Sequence, residues 1–195
     1  MQVSTAGFKE YLPQRILHAK ICRMNMNETK TNQNMSSTRI RKADPADFEA
    51  VKTLYQALCN QQKYDQYTPK WQYGIYPTEE DLQHWIEIGE LYLLEKDGKL
   101  AGGMLFRNET DSLSLHLFGV LPEYRHQGLA RLVLAHIEAE ARFRDYSKVT
   151  LDIIEGNLAA KKLYESSGYR EIGERDEYEE GNDWLHFHDY EKLLA

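Results

Sequence analysis

From Glu90 to Pro122 the chain reads ELYLLEKDGKLAGGMLFRNETDSLSLHLFGVLP, three apolar-rich runs parted by short polar turns. The first turn is Asp97-Gly98, a dipeptide that supplies the left-handed backbone of a two-residue hairpin. The second spans Asn108 to Ser112. Strands joined this closely must pair antiparallel. Pro122 ends the third run, since proline cannot serve inside a ladder. A meander of this kind needs its apolar faces covered, and the flanking sequence supplies amphipathic helices.

Before the meander, Thr38 to Asp44 reads as a short strand. Asp44 and Pro45 then open a helix as N-cap and first helical residue, with Phe48, Val51, Leu54 and Leu58 at helical spacing. Thr78 begins a second helix, with Asp81 in the acidic slot of a capping box. After the meander comes a helix entered at Gly128, with Leu129, Leu132, Val133, His136 and Ile137 along one face. KVTLDII (148–154) is a buried strand. Asn157 starts a further helix that Gly168 stops. The last segment is a hairpin turning at Glu180-Gly181-Asn182. The order is β-α-α-β-β-β-α-β-α-β-β. It predicts an α/β (α+β) fold with a mixed, mostly antiparallel sheet of about seven strands and helices on both faces.

Residues 1–37 differ from the rest. Met24 to Thr38 is polar and rich in Asn and Thr, without hydrophobic period, which reads as a disordered tail before a domain at 38–195. Residues 1–38 carry five Lys/Arg against two Asp/Glu, net +3; the remainder carries nineteen against twenty-nine, net −10, giving −7 for the chain. That balance argues against a nucleic-acid partner. The tail has no continuous apolar segment of the secretory kind, and its basic character alone is a weak transit signal. Met24, Met26 and Met35 are alternative starts. No run approaches the roughly 18 apolar residues of a membrane span. Cys22 and Cys59 form neither a disulfide framework nor a metal-ligand spacing, so reduced thiols in a cytoplasmic protein and no bound metal are expected.

The Gly128 helix start carries the chemistry. The strand ending at Val120 turns through EYRHQG into a helix whose first N–H groups are unpaired, beside the positive end of the helix dipole. Glycine removes the Cβ that would hold an anion off the backbone, Ala130 keeps the next approach small, and Arg125 and Arg131 add charge. A phosphate or pyrophosphate is the expected ligand. Neither a P-loop nor a Rossmann glycine pattern is present.

VLPEYRHQGLARLVLAHIE resembles motif A of the GNAT superfamily of acyl-CoA-dependent acyltransferases, met at Val120, Pro122, Arg125, Gly128 and Ala130. NLAAKKLYESSGY resembles the motif that follows it in that family, met at Asn157, Ala160, Leu163, Tyr164, Gly168 and Tyr169. The resemblance covers about residues 38 to 195. It implies acetyl-CoA as co-substrate, its pyrophosphate held by main chain at Arg125, His126, Gln127, Gly128, Leu129, Ala130 and Arg131. It implies a pantetheine arm paired like a strand with Phe118, Gly119 and Val120. Gly119 then marks either a close backbone approach or a bulge. Asn157, Ala160, Lys161 and Tyr164 share one helix face, and the resemblance sets that face against the cofactor arm. Tyr164 is the expected catalytic acid toward the leaving thiolate, with a packing aromatic as the alternative. Lys161 is either a ligand contact or a solvated lysine.

Acetyl transfer to an amine also needs a proton acceptor. An alkylamine of pKa ~10.4 is only about one part in two thousand neutral at pH 7, worth roughly 4–5 kcal/mol of barrier. In one branch of the family a glutamate fourteen residues before the glycine does this, and here that position is Ser114. His116 and Glu155 are the candidates left, and the sequence does not choose between them.

In the resembled family the acceptor enters beside the loop between the first two helices and the closing hairpin. Here these carry Tyr64, Tyr67, Trp71, Tyr73 and Tyr76, and Glu174, Asp176, Glu177, Glu179 and Glu180. Aromatics beside acids suit a small cationic amine; ordinary core aromatics and a charged turn are the alternative, and a peptide amine is also open. The competing function is a non-catalytic acyl-CoA-binding or sensing module. A homodimer through the edge of the long closing strand, WLHFHDYEKLL, is a further expectation.

Overall fold

The computed structural model describes residues 37–62, 71–179 and 183–194. The basic tail, Tyr64, Tyr67, Cys22 and the hairpin tip at 180–182 lie outside them. The elements follow the expected order: β1 (Thr38–Lys42), α1 (Phe48–Gln62), α2 (Glu79–Glu87), β2 (Leu91–Lys96), β3 (Lys99–Asn108), β4 (Leu113–Val120), α3 (Leu129–Phe143), β5 (Lys148–Ile154), α4 (Leu158–Ser166), β6 (Arg170–Glu179) and β7 (Asp183–Leu193).

Local chemistry explains most boundaries. Asp44 and Asp47 form a reciprocal capping box around a short 3-10 turn that leads into α1. Thr78 and Asp81 do the same for α2. Asp97 and Gly98 have φ of 52° and 75°, the two left-handed residues of a tight hairpin. Asn157 caps α4 by accepting from the Ala160 N–H at 3.1 Å.

The strands form one sheet in the order β1-β2-β3-β4-β5-β7-β6. Among the described strands β4 and β5 make the one parallel pair, and it is short, running from Leu113↔Val149 to Leu115↔Leu151. The fold class is therefore as the sequence predicts. The closing strand is a correction. From Phe187 to Glu191 β7 pairs with β5 on one side and β6 on the other, so over that stretch it presents no edge for a second chain. The edge strand on that side is β6, whose REIGERDEYE sequence carries seven charged residues and discourages edge-to-edge pairing.

Two apolar layers sandwich the sheet. On one face α3 contributes Leu129, Val133, Leu134, Ile137 and Ala141, and α4 contributes Tyr164, against Phe106, Leu115, Leu151 and Ile153. On the other, α1 and α2 bring Val51, Leu54, Tyr55, Leu58, Leu82 and Trp85 against Leu93, Leu105 and Leu117. Leu132 is half exposed at 48%, so it stands on the flank of α3 rather than on its buried face. β5 alternates buried and half-buried residues instead of being buried throughout. Among the described residues no helix is long and apolar enough to cross a membrane.

Candidate cofactor and acyl-transfer site

β4 sets the site's geometry. Met104 on β3 has no single partner across the ladder: Leu105 faces His116 and Gly103 faces Gly119, leaving Leu117 and Phe118 opposite one residue. Leu117 sits at φ 48°, an uncommon left-handed leucine, and marks a bulge. Its carbonyl is held by the buried Tyr55 hydroxyl at 3.3 Å. The extra residue bends β4 away from β5, so their pairing stops at Leu115 although β4 continues to Val120 and β5 to Ile154. A gap opens between the two strands, bordered by the main chain of Phe118, Gly119 and Val120. The bulge is thus at Leu117, two residues before Gly119. Gly119 answers the other need: a Cβ there would lie 2.9 Å from Leu58 of α1, so its bareness lets the helix close on the strand.

At the end of this gap the chain turns into α3. His126 and Gly128 both take left-handed φ, 60° and 78°. The next paired N–H groups are Arg131 and Leu132, both donating to the Gly128 carbonyl. Among the described residues, the N–H groups of Gln127, Gly128, Leu129 and Ala130 have no acceptor. A Cβ on Gly128 would meet nothing within 4 Å, so the space above the glycine is open. Unpaired donors at a helix N-terminus under open space fit an anion well. The neighbouring side chains brace the turn. Arg125 Nε donates to the Val120 carbonyl at 3.0 Å, and Gln127 donates to the Glu123 carbonyl at 2.9 Å. Arg131 donates to Ser166 Oγ at 2.9 Å, tying α3 to the end of α4.

The α4 face is brought together in part. Tyr164 is buried in the core layer under α3, its ring 6.1 Å from that of Tyr169. Asn157 spends its carbonyl oxygen on the helix cap. Lys161 is held at 3.3 Å by Glu171 of β6, which raises its pKa. Asn157 and Lys161 also line a cavity of about 290 Å³ with Ile153, Leu158, His188 and Tyr190.

The two base candidates separate clearly. Ser114, where the glutamate would stand, is buried and donates to the Thr150 carbonyl at 3.4 Å. Glu155 is exposed beyond the end of β5. His116 lies at the start of the β4–β5 gap, on the α1/α2 face by alternation with Leu115. Its Nε2 is buried without a hydrogen-bond partner among the described residues. Burial lowers its pKa, opposed by the nearby Asp152 carboxylate, so the imidazole is neutral at pH 7. Asp152 and Asp189 share Arg175, which donates to both. A lone buried nitrogen leaves no trace in a sequence; parity with Ser114 was the signal available.

The acceptor-side aromatics and acids are mostly engaged locally. Trp71, Tyr73 and Tyr76 pack on the α1/α2 core, and Tyr76 meets Trp85 edge to face at 6.0 Å. Glu174 and Asp176 pair with His186, and Glu177 with Arg175.

The sequence model of the Acetyltransferase (GNAT) family matches residues 59–169, more than half of the chain. The chain belongs to the GNAT family. Among its curated relatives is the [Ribosomal protein bS18]-alanine N-acetyltransferase of Escherichia coli strain K12, 36% identical over 93 residues, which cover 46% of this chain and 63% of that protein. An N-acetylaspartate synthetase from Danio rerio is 32% identical over 72 residues, 37% of this chain and 26% of that one. The chain therefore spans less than two thirds of these curated relatives. The crystal structure of the Escherichia coli ribosomal-protein-S18-alanine N-acetyltransferase aligns with a TM-score of 0.63 at 22% identity, over 82% of this chain and 95% of that one. A putative acetyltransferase from Salmonella typhimurium, solved with its cofactor acetyl-CoA, aligns at 0.62 and 20% identity over 82% and 95%. At these identities the structural likeness concerns the fold.

Proposed function

We propose that residues 38–195 form an N-acetyltransferase domain that moves an acetyl group from acetyl-CoA to a primary amine by direct attack. The observation that carries this is the continuous cradle: an unpaired strand edge at Phe118–Val120 leading to four unpaired N–H groups around Gly128. Main chain from Gln127 to Ala130 holds the pyrophosphate, since the Arg125 and Arg131 N–H groups are spent on the Pro122 and Gly128 carbonyls; the β4 edge receives the amide-bearing arm, and Asn157, Lys161 and Tyr164 present the α4 side. Acetyl-CoA supplies an activated thioester at the inner end of that gap.

His116 Nε2 accepts the proton of the attacking amine. The imidazole is already neutral and its Nε2 has no competing hydrogen-bond partner among the described residues, so nothing must be broken first. Tyr164 gives its hydroxyl proton to the departing sulfur. The two stand on opposite faces of the sheet, and the gap between β4 and β5 joins those faces. Two acceptor classes fit: a small cationic amine, and the N-terminal amine of a peptide, the latter favoured by the alanine acceptor in the name of the E. coli relative. A thiol-release assay with acetyl-CoA across polyamines, amino acids and peptides with free N-terminal alanine tests the reading. Release with at least one amine is expected. Tight acetyl-CoA binding with no release across the panel identifies a non-catalytic acyl-CoA-binding module instead.

A further inference from the structure

The β6–β7 hairpin carries a constellation that acetyl transfer does not use. His186 and His188 are two apart on β7, so both point to the same face. Their rings lie 5.2 Å apart, nearly perpendicular at 89°. Across the ladder Glu174 is the Cα partner of His188 and Asp176 that of His186. One donor atom from each of Glu174, His186 and His188 lies within 4.8 Å of the others. His186 Nε2 and Glu174 Oε2 are 3.5 Å apart, close to the roughly 3.4 Å between adjacent ligands of a tetrahedral ion with bonds near 2.1 Å. His186 is also steadied by a further carboxylate, its Nδ1 donating to Asp176 at 2.8 Å, whereas His188 Nδ1 lies 3.7 Å from Glu174 and 2.9 Å from Glu171, a contact that metal would displace. For His186 this leaves Nε2 directed at Glu174, the carboxylate–histidine support that orients metal-binding rings.

We propose that Glu174, His186 and His188 bind a divalent transition-metal ion of the zinc class, with water as fourth ligand. Two imidazoles and a carboxylate are borderline donors suited to zinc rather than to magnesium or calcium. The partly exposed side chains close the remaining 1–1.5 Å, roughly, by torsion alone. Bound metal ties β6 to β7 and stabilises the hairpin by mass action. Because the ligating nitrogens must be deprotonated, affinity falls as pH drops. The test is titration of the untagged chain with ZnCl₂ by calorimetry, and with Co²⁺ followed by visible absorption, without acetyl-CoA or amine, so that its outcome is independent of the transferase reading. One ion per chain is expected. Affinity should drop roughly tenfold or more in His186→Ala and in His188→Ala, and also in Glu174→Gln, which preserves side-chain volume. Melting curves confirm that each variant is folded. Absence of binding, or binding that all three substitutions leave unchanged, overturns the proposal and leaves the cluster as a set of proton-linked ion pairs.

Discussion

Replacing Gly128 separates the backbone's part in folding from its part in ligand binding. The residue sits at φ 78°, where any L-residue pays for its Cβ, about 1–2 kcal/mol for alanine. Among the described residues no atom beyond the adjoining backbone lies within 4 Å of that Cβ, so strain is the whole folding cost. At about 2–4 °C per kcal/mol for a chain of this size, Gly128→Ala should lower Tm by roughly 2–8 °C. Valine is worse in this region because it is β-branched, yet it too meets open space. Binding should respond on a larger scale. Each N–H bond to a charged oxygen contributes about 1.5–3 kcal/mol, and a side chain standing in the cradle displaces the ligand from at least two of them. The expected loss is about 3–6 kcal/mol, or roughly 10²–10⁴ in Kd. Calorimetric titration of CoA into Gly128→Ala and Gly128→Val, beside His126→Ala as a control that keeps every N–H, measures this directly. A folded Gly128→Val protein that binds CoA within about threefold of the parent refutes the main-chain cradle.

His116→Gln should reduce turnover by about 10²-fold or more with CoA affinity unchanged. As the proposed base His116 must be neutral; burial, opposed by Asp152 and Glu109 and reinforced by Arg107 and Arg175, lowers its pKa from 6.5, so the parent's rate should hold through neutrality and fall only below pH 6.5, and that acid limb should vanish in the variant. Tyr164→Phe should lower kcat far more than it weakens CoA binding; turnover within about twofold of the parent removes the acid role. Gly102→Ala would place a Cβ 2.4 Å from the Gly119 carbonyl oxygen, a backbone clash expected to cost about 1–3 kcal/mol in urea unfolding. Arg41 bonds both Asp47 and Glu95, and its hydrogen bonds hold the Asp47 carboxyl below the usual range. That stabilisation is present above the unfolded carboxylate pKa and is lost as pH falls through the lowered folded value, so Arg41→Gln should flatten the acid side of a Tm-versus-pH curve.

Element order was legible because its signals are local. Asp44, Thr78, Asp97-Gly98 and Asn157 act through groups a few residues away, and each does in the structure what its type implies. The helix-start cradle is local for the same reason. The failures are tertiary. At 100° per residue Leu129, Val133, Ile137 and Ala141 span a face centred well away from Leu132, while Leu134 falls on its far side; the sequence offers both leucines and only the docked helix chooses. Strand order is equally non-local: β7 follows β6 in a hairpin, and nothing in either strand's pattern announces that the later one lies inside. The left-handed Leu117 has no compositional signal, because bulges usually show themselves as glycine or asparagine.

That leucine links the two halves of the site. β4 and β5 run parallel within an otherwise antiparallel sheet, so their carboxyl ends point the same way, and each leads into a helix, α3 at Gly128 and α4 at Asn157. Crevices beyond the carboxyl ends of parallel strands are where α/β sheets bind ligands, since the following helices aim unpaired N–H groups there. Three paired positions are enough to fix the direction of the two strands. The bulge then forces them apart before they can pair further, turning a ladder into a slot. It also places His116 and Leu117 consecutively on the α1/α2 face, while Phe118 and Val120 return to the α3 layer. One inserted residue therefore exposes the strand edge proposed for the cofactor arm and sets the imidazole at the inner end of the same slot. A substitution that removed the bulge would restore β4–β5 pairing and bury both sites together, which ties the proposed cofactor edge and the proposed base to a single backbone feature.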